Sequence, residues 1–199
     1  MKQLMFLLGF GATAVAQQHE LILSLGGFLP SSRTGAATKI DQDGSLALGA
    51  AYGYRLAGGS LEGNGTSLYL DTHFLASFNR FLNSANRQVS KGYATLYLTP
   101  ALRLKFASNR KASPFVQAGG GYALYEQSPE RIDNGPNPVA KFIHRGALMY
   151  GGGLDVRFWR FTSLRAEIRD FYSGSPRFNA PVSGGQHNVI VTGGLLARW

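Results

Sequence analysis

The chain has 199 residues, 16% of them charged, with 26 glycines and no cysteine. That excludes a disulfide framework, thiolate zinc sites, a lipid-modified cysteine anchor, and a disordered or collagen-like polymer, and it fits one domain. The formal net charge is +9, but Arg33, Lys39, Arg55, Arg80, Arg87 and Lys91 are scattered. Nucleic-acid binding, which needs clustered cations against phosphate, is therefore not expected. Solvated or pore-lining charge and contact with anionic lipid headgroups remain.

Met1-Lys2-Gln3 is a short basic start, 4–13 is apolar or small, and Ala14-Val15-Ala16 fits the small-x-small cleavage rule. Residues 1–16 are expected to be an export signal and 17–199 the mature domain. The apolar run is too short to cross a bilayer as a helix. No later stretch reaches about 18 apolar residues.

From residue 20 onward, alternation with period two recurs. A first strand covers 20–29. In the second, Leu46, Leu48, Ala50, Tyr52, Tyr54 and Leu56 oppose Ala47, Gly49, Gly53 and Arg55. In the third, Leu68, Leu70, Phe74 and Phe78 oppose Tyr69, Asp71, His73 and Ser77. In the fourth, Leu96, Leu98, Leu102 and Leu104 oppose Thr95, Tyr97, Arg103 and Lys105. Further segments follow over 116–124, 148–158, 163–169 and 188–199. The count is eight strands.

Most of these strands run about 10–13 residues, the length a tilted strand needs to cross a bilayer, whereas strands of soluble proteins average nearer 5–6. One face carries Leu, Val and aromatics without a central charge. The other carries Gly, Ala, Thr and isolated charges, which suit a narrow interior. Long connections near 30–44, 79–92, 126–145 and 173–187 alternate with shorter ones near 57–66, 107–113 and 159–162, as expected when one end faces the exterior and the other the periplasm. An open sheet edge in hydrocarbon leaves backbone groups unpaired, so an eight-stranded antiparallel up-and-down transmembrane β-barrel is the expected fold. Gly26-Gly27 and Gly193-Gly194 are expected side by side at the seam, and Gly119 to Gly121 beside Gly151 to Gly153 on adjacent strands. No Lys-Ser/Thr follows these glycines, so they are not a phosphate loop. Pro100 cannot donate to a ladder and predicts a local break.

Gly151-Gly152-Gly153-Leu154-Asp155-Val156-Arg157-Phe158, followed by 163–174, resembles the last hairpin of OmpA-like outer-membrane barrels. The ending 188–199 resembles the C-terminal strand that the barrel-assembly machinery recognises. Val191, Leu195 and Trp199 match its alternate apolar positions and aromatic last residue; Ala197 departs from it. The resemblance covers the whole mature chain in pattern and about the last fifty residues in motif. It implies a Gram-negative outer-membrane protein of the porin family, with periplasmic termini and without the peptidoglycan-binding domain of full-length OmpA.

The face expected to line the lumen holds Glu20, Arg55, Asp71, His73, Arg103, Lys105, Asp155, Arg157, Arg165, Glu167, Arg169 and Arg198. In an eight-stranded barrel the interior is just wide enough for side chains to fill it. An ion-pair network centred on Asp155, Arg157, Arg165 and Glu167 is therefore favoured over a solute-gating constriction, with Glu20 and Arg198 pairing across the seam. Catalysis is not expected. Asp71, His73 and Ser77 share one strand face, but same-face neighbours are about 7 Å apart, too far for a His–Ser hydrogen bond. His19, His144 and His187 sit near strand ends or loops, without metal-ligand spacing, and no cofactor is implied. Arg33, Lys39, Arg80, Arg87, Lys91, Arg131, Lys141, Arg145 and Arg177 are read as loop cations, solvated or facing lipopolysaccharide phosphates or a surface partner. Pro129, Asn134-Gly135, Pro136 and Pro138 predict an irregular, mobile third long loop. The protein is expected to be a monomer.

Overall fold

Alternation over this many residues builds strands with two chemically different faces, and the way the strands close decides which face is outside. A computed structural model of the chain describes residues 18–34, 39–58, 65–176, 178–180 and 184–199; the expected export signal lies outside them. The described elements are all strands: β1 (His19–Phe28), β2 (Ser31–Thr34), β3 (Lys39–Gln42), β4 (Ser45–Gly58), β5 (Ser67–Ser84), β6 (Gly92–Lys105), β7 (Ala112–Gln127), β8 (Phe142–Arg157), β9 (Thr162–Gly174) and β10 (Gly185–Arg198). Eight of them form a closed ring in the order β1–β4–β5–β6–β7–β8–β9–β10, each pair antiparallel, with β10 returning to β1.

The seam runs without a register shift from Glu20↔Arg198 to Phe28↔Ile190. Reciprocal backbone bonds of 3.1 Å between His19 and Trp199 finish it. Closure matters because an unpaired edge would expose N–H and C=O groups to the apolar surroundings of the wall. The seam glycines are offset rather than facing: Gly26 lies opposite Thr192, and Gly194 opposite Ser24. At Pro100 the pairing with β5 continues through Thr72, while the ladder toward β7 skips from Leu98↔Tyr122 to Ala101↔Gly119 without changing register. The expected break is thus confined to the side where proline has no N–H to give.

Two features depart from the sequence reading. The first long connection carries the hairpin β2–β3, which pairs with the upper extension of β5 through Ile40↔Ser84, Asp41↔Asn83 and Gln42↔Leu82. The segments Ser-Ser-Arg-Thr and Lys-Ile-Asp-Gln are too short and polar to announce strands by themselves. Second, β5 does not end at Phe78. A bulge between Ser77 and Arg80 inverts its facing, so Arg80 and Leu82 point inward and Phe81 outward.

The outer wall is apolar and accessible: Leu23 and Leu148 are 60% exposed, while Arg103 and Asp71 are 0% exposed. This is the reverse of a soluble barrel and far exceeds the apolar patches a soluble monomer tolerates. Along β10 the outward belt runs from Val189 to Trp199. At about 3.3 Å per residue and a tilt of about 40°, it stands roughly 25 Å tall, the thickness of the apolar band of transmembrane barrels. Near its middle, Leu154 lies in one row with Pro114, Ala166 and Gly193. Leu154→Arg should lower the unfolding free energy in lipid vesicles by about 2–4 kcal/mol. Urea titration of the reconstituted variant checks this, and unchanged stability would contradict the outward assignment.

Candidate functional site

The inward face is the part of the molecule where chemistry concentrates. It divides into two layers between the short-turn end, where β1 begins and β10 ends, and the loop end.

The layer nearer the turns is ionic. Arg103 of β6 holds Asp71 of β5 with two bonds, Nε to Oδ2 at 2.6 Å and Nη2 to Oδ1 at 3.1 Å, and reaches Glu20 of β1 at 2.7 Å. Asp155 of β8 accepts from Arg165 Nε at 2.7 Å and Nη2 at 2.9 Å, and pairs with Lys105 Nζ at 2.7 Å. Glu20 also accepts from Lys105 at 3.3 Å, so it joins the two halves. Slightly higher, Glu167 pairs with Arg169 at 3.1 Å and accepts from Thr192 at 3.0 Å. Paired, bidentate geometry is what lets charges persist when they are buried. Aromatic rings complete the solvation: Arg103 lies 4.2 Å from the Tyr69 ring centroid and Arg165 4.4 Å from that of Phe115. Glycines make the room. A Cβ on Gly53 would stand 2.6 Å from Asp71 Oδ1, and one on Gly153 would stand 2.7 Å from the Phe115 ring.

The layer nearer the loops is aromatic and amide-rich. Tyr93, Tyr97, Tyr125, Phe28 and Phe171 are buried, with Phe171 stacked on Tyr97 at 4.3 Å. Asn188 donates to Tyr97 Oη at 3.0 Å, and Gln186 donates to Tyr93 Oη at 3.0 Å and to Asn188 Oδ1 at 2.8 Å. Tyr93 in turn donates to Gln42 at 2.6 Å. Arg80 enters here, held by Asn188 Oδ1 at 2.8 Å and by the carbonyls of Asp43 and Leu29 at 3.1 Å, over the Phe28 and Tyr93 rings. Phe178, fully buried, closes the mouth with its ring 4.9 Å from Tyr93, and its carbonyl accepts from the Ser90 N–H at 3.2 Å.

The two layers share one geometric fact. In a ring of eight, β6 is diametrically opposite β10, and β5 is opposite β9. Asn188–Tyr97 and Gln186–Tyr93 join the first pair, and Arg169 Nη1 approaches His73 Nδ1 at 3.3 Å across the second. Side chains from facing walls therefore meet at hydrogen-bond distance in both layers.

Of the expected lumen residues, Glu20, Asp71, His73, Arg103, Lys105, Asp155, Arg165, Glu167 and Arg169 come together inside. Three do not join them. Arg198 is the register partner of Glu20, but its Nη2 donates to Ser163 at 2.6 Å, because Glu20 is already taken by Arg103 and Lys105. Arg157, the last residue of β8, reaches out to the carbonyls of Ser108 at 3.3 Å and Arg110 at 2.8 Å in the neighbouring turn. Arg55 is half-buried at the turn end of β4. Conversely, Arg80, read as a loop cation, is 1% exposed and inside. Renewed alternation through Arg80, Phe81 and Leu82 with the phase reversed is the signal that finds it.

Outside the lumen, the histidines sit in the aromatic rims of the wall. His19 bonds Tyr52 Oη at 2.6 Å, and His144 contacts Tyr122. At the loop-side rim, Asp170 Oδ2 accepts from Tyr150 Oη and pairs with His187 Nδ1, both at 2.6 Å. Sequence reasoning missed that carboxylate because it follows the inward Arg169 directly. Among the described residues no cluster of three or more His, Asp or Glu forms a metal site. In the third long loop Asp133 holds the 131–135 turn, and its carboxyl is kept below its ordinary range first by the Gly135 N–H and then by Arg131.

No family model matches the chain, and no curated protein does. Solved structures do. The outer-membrane protein OprG from Pseudomonas aeruginosa aligns with a TM-score of 0.58 at 13% identity over 92% of this chain and 97% of that one. Neisserial surface protein A aligns with a TM-score of 0.56 at 11% identity, over 91% of this chain and 96% of that one. The N-terminal β-barrel domain of Pseudomonas aeruginosa OprF gives 0.55 at 11% identity, over 92% and 99%. The fold is that of small outer-membrane β-barrels.

Removing Asp71 takes the two-bond partner from the fully buried Arg103 and leaves it the single close bond to Glu20. Asp71→Ala should destabilise the barrel by about 3–5 kcal/mol, the cost of breaking a buried pair from one side. Unfolding in vesicles measures it, and a change below 1 kcal/mol would show that the network carries no such load.

Proposed function

We propose that this chain is an exported Gram-negative outer-membrane protein, cleaved after residue 16. It is inserted with both termini and the short turns in the periplasm, and it serves as a monomeric, non-conducting scaffold for its loop end. Outer-membrane lipid and lipopolysaccharide surround it, and no cofactor, nucleic acid or catalytic step is involved. The observation that carries this reading is the contact between diametrically opposite strands in both interior layers. A solute would have to break Asn188–Tyr97 and separate Arg169 from His73 to pass.

The loop end supports the scaffold role. Lys39–Asp41, Lys91–Glu130, Arg131–Asp133 and Lys141–Glu126 pair at 2.9–3.0 Å, so four of its cations are matched within the loops. Cations held by neighbouring carboxylates in this way suit recognition of a surface partner better than capture of a polyanion. Val191, Leu195 and Trp199 lie on the outward face, 47–54% exposed, where the assembly machinery would read them during insertion.

The competing reading is a narrow channel for small solutes, governed by the interior charges. Purified protein in a planar bilayer should give no steady conductance. A steady current abolished by Arg103→Gln with Arg169→Gln would replace the scaffold reading with the channel.

A further inference from the structure

The positive charge is matched unevenly along the barrel. In the lumen, Arg103, Lys105, Arg165 and Arg169 face Glu20, Asp71, Asp155 and Glu167, and that layer is balanced. At the loop end, acidic side chains hold four of the cations. The short-turn end is built differently. Arg55, Arg110, Lys111, Arg157 and Arg160 crown it, and the turns 106–111 and 158–161 carry no acidic residue; Glu62 of the first short turn lies outside the described residues.

This crown is organised. Arg157 donates to the carbonyls of Ser108 and Arg110, so the 158–161 turn is latched to the 106–111 turn. The Ser108 N–H and hydroxyl both donate to the Gly65 carbonyl, at 2.5 and 2.6 Å, and the hydroxyl lies 2.9 Å from Ser67 Oγ. The two turns and the start of β5 at 65–67 are thereby tied together. The rim of this end is aromatic: Trp159 is 71% exposed, and Phe106, Phe158, Phe161 and Trp199 are exposed beside it. Arg160 lies over the Phe161 ring at 5.1 Å.

We propose that the short-turn end is a docking surface for the anionic headgroups of phospholipids in the leaflet it faces. The proposal rests on the membrane reading given above. Amphipathic aromatic rings settle at the boundary between hydrocarbon and headgroups, and the cations here lie within a few residues of those rings, at the depth of the lipid phosphates. Basic groups at that depth attract anionic lipid, and the attraction is screened by salt. A carboxylate-bearing cell-wall polymer carries the same sign of charge, but it lies beyond the headgroups, and the exposed Trp159 and Phe161 would gain nothing from it.

The test compares the full protein in vesicles of phosphatidylcholine with and without phosphatidylglycerol, following the thermal midpoint by heat-modifiable gel migration. Phosphatidylglycerol should raise the midpoint by about 5–10 °C at low salt, and high salt should erase the rise. Arg110→Gln, Lys111→Gln and Arg160→Gln combined should abolish the rise while leaving the midpoint in phosphatidylcholine unchanged. Arg87→Gln with Lys141→Gln at the loop end should keep it. No effect of phosphatidylglycerol, or equal loss in the loop variant, overturns the proposal. Cosedimentation with purified peptidoglycan that the turn variant loses, without a lipid effect, also overturns it and assigns the crown to the cell wall. Failure of the wild-type protein to insert into either vesicle contradicts the membrane reading instead.

Discussion

The structure depends on a solvent constraint: the wall faces a medium that cannot hydrogen-bond. Every backbone group in the belt must find its partner within the sheet, so β1 must meet β10, and a ring antiparallel throughout holds an even number of strands. The seam satisfies this from Glu20↔Arg198 to Phe28↔Ile190, and the His19–Trp199 bonds seal its lower end. The same constraint sends the charged side chains between the two rims inward, which creates the second problem, how to keep four carboxylates and their cations stable in a narrow core.

The interior solves that problem by division. Strong charges are gathered near the turns, where Glu20 bridges the Arg103–Asp71 and Lys105–Asp155–Arg165 pairs. Neutral hydroxyls and amides fill the region near the loops, where a lone guanidinium, Arg80, is solvated by carbonyls and rings. Each layer spans the full width of the barrel. A rigid interior of this kind is costly to disturb from one side and gives the loops a fixed base.

Much of the fold was legible because a membrane strand writes its two faces over ten residues or more, and chance alternation rarely lasts that long. Leu46 to Leu56 and Leu96 to Phe106 show this directly. The interior was legible as a set of residues but not as a set of partners. Period two says that Glu20 and Arg198 both point inward; it does not say that Arg103, three strands away, reaches Glu20 first. The same limit applies to Arg157, whose length carries it out of the lumen to the adjacent turn. Where a bulge shifts the phase, as between Ser77 and Arg80, facing is lost altogether, and Arg80 is read as loop charge. The tyrosine layer was written in the inward phase through Tyr93 and Tyr97, but identifying it as a closure requires knowing that β6 stands opposite β10.

The absence of cysteine makes the central claim directly measurable, since any single cysteine introduced is unique. Spin labels placed one at a time from 147 to 156 along β8, in reconstituted protein, report collision with oxygen dissolved in the bilayer. Oxygen access should alternate with period two, high at the positions of Leu148, Tyr150 and Leu154 and low at those of Met149 and Asp155. Alternation in the opposite phase, or high access for a water-soluble relaxant along the Leu148 face, would contradict the account.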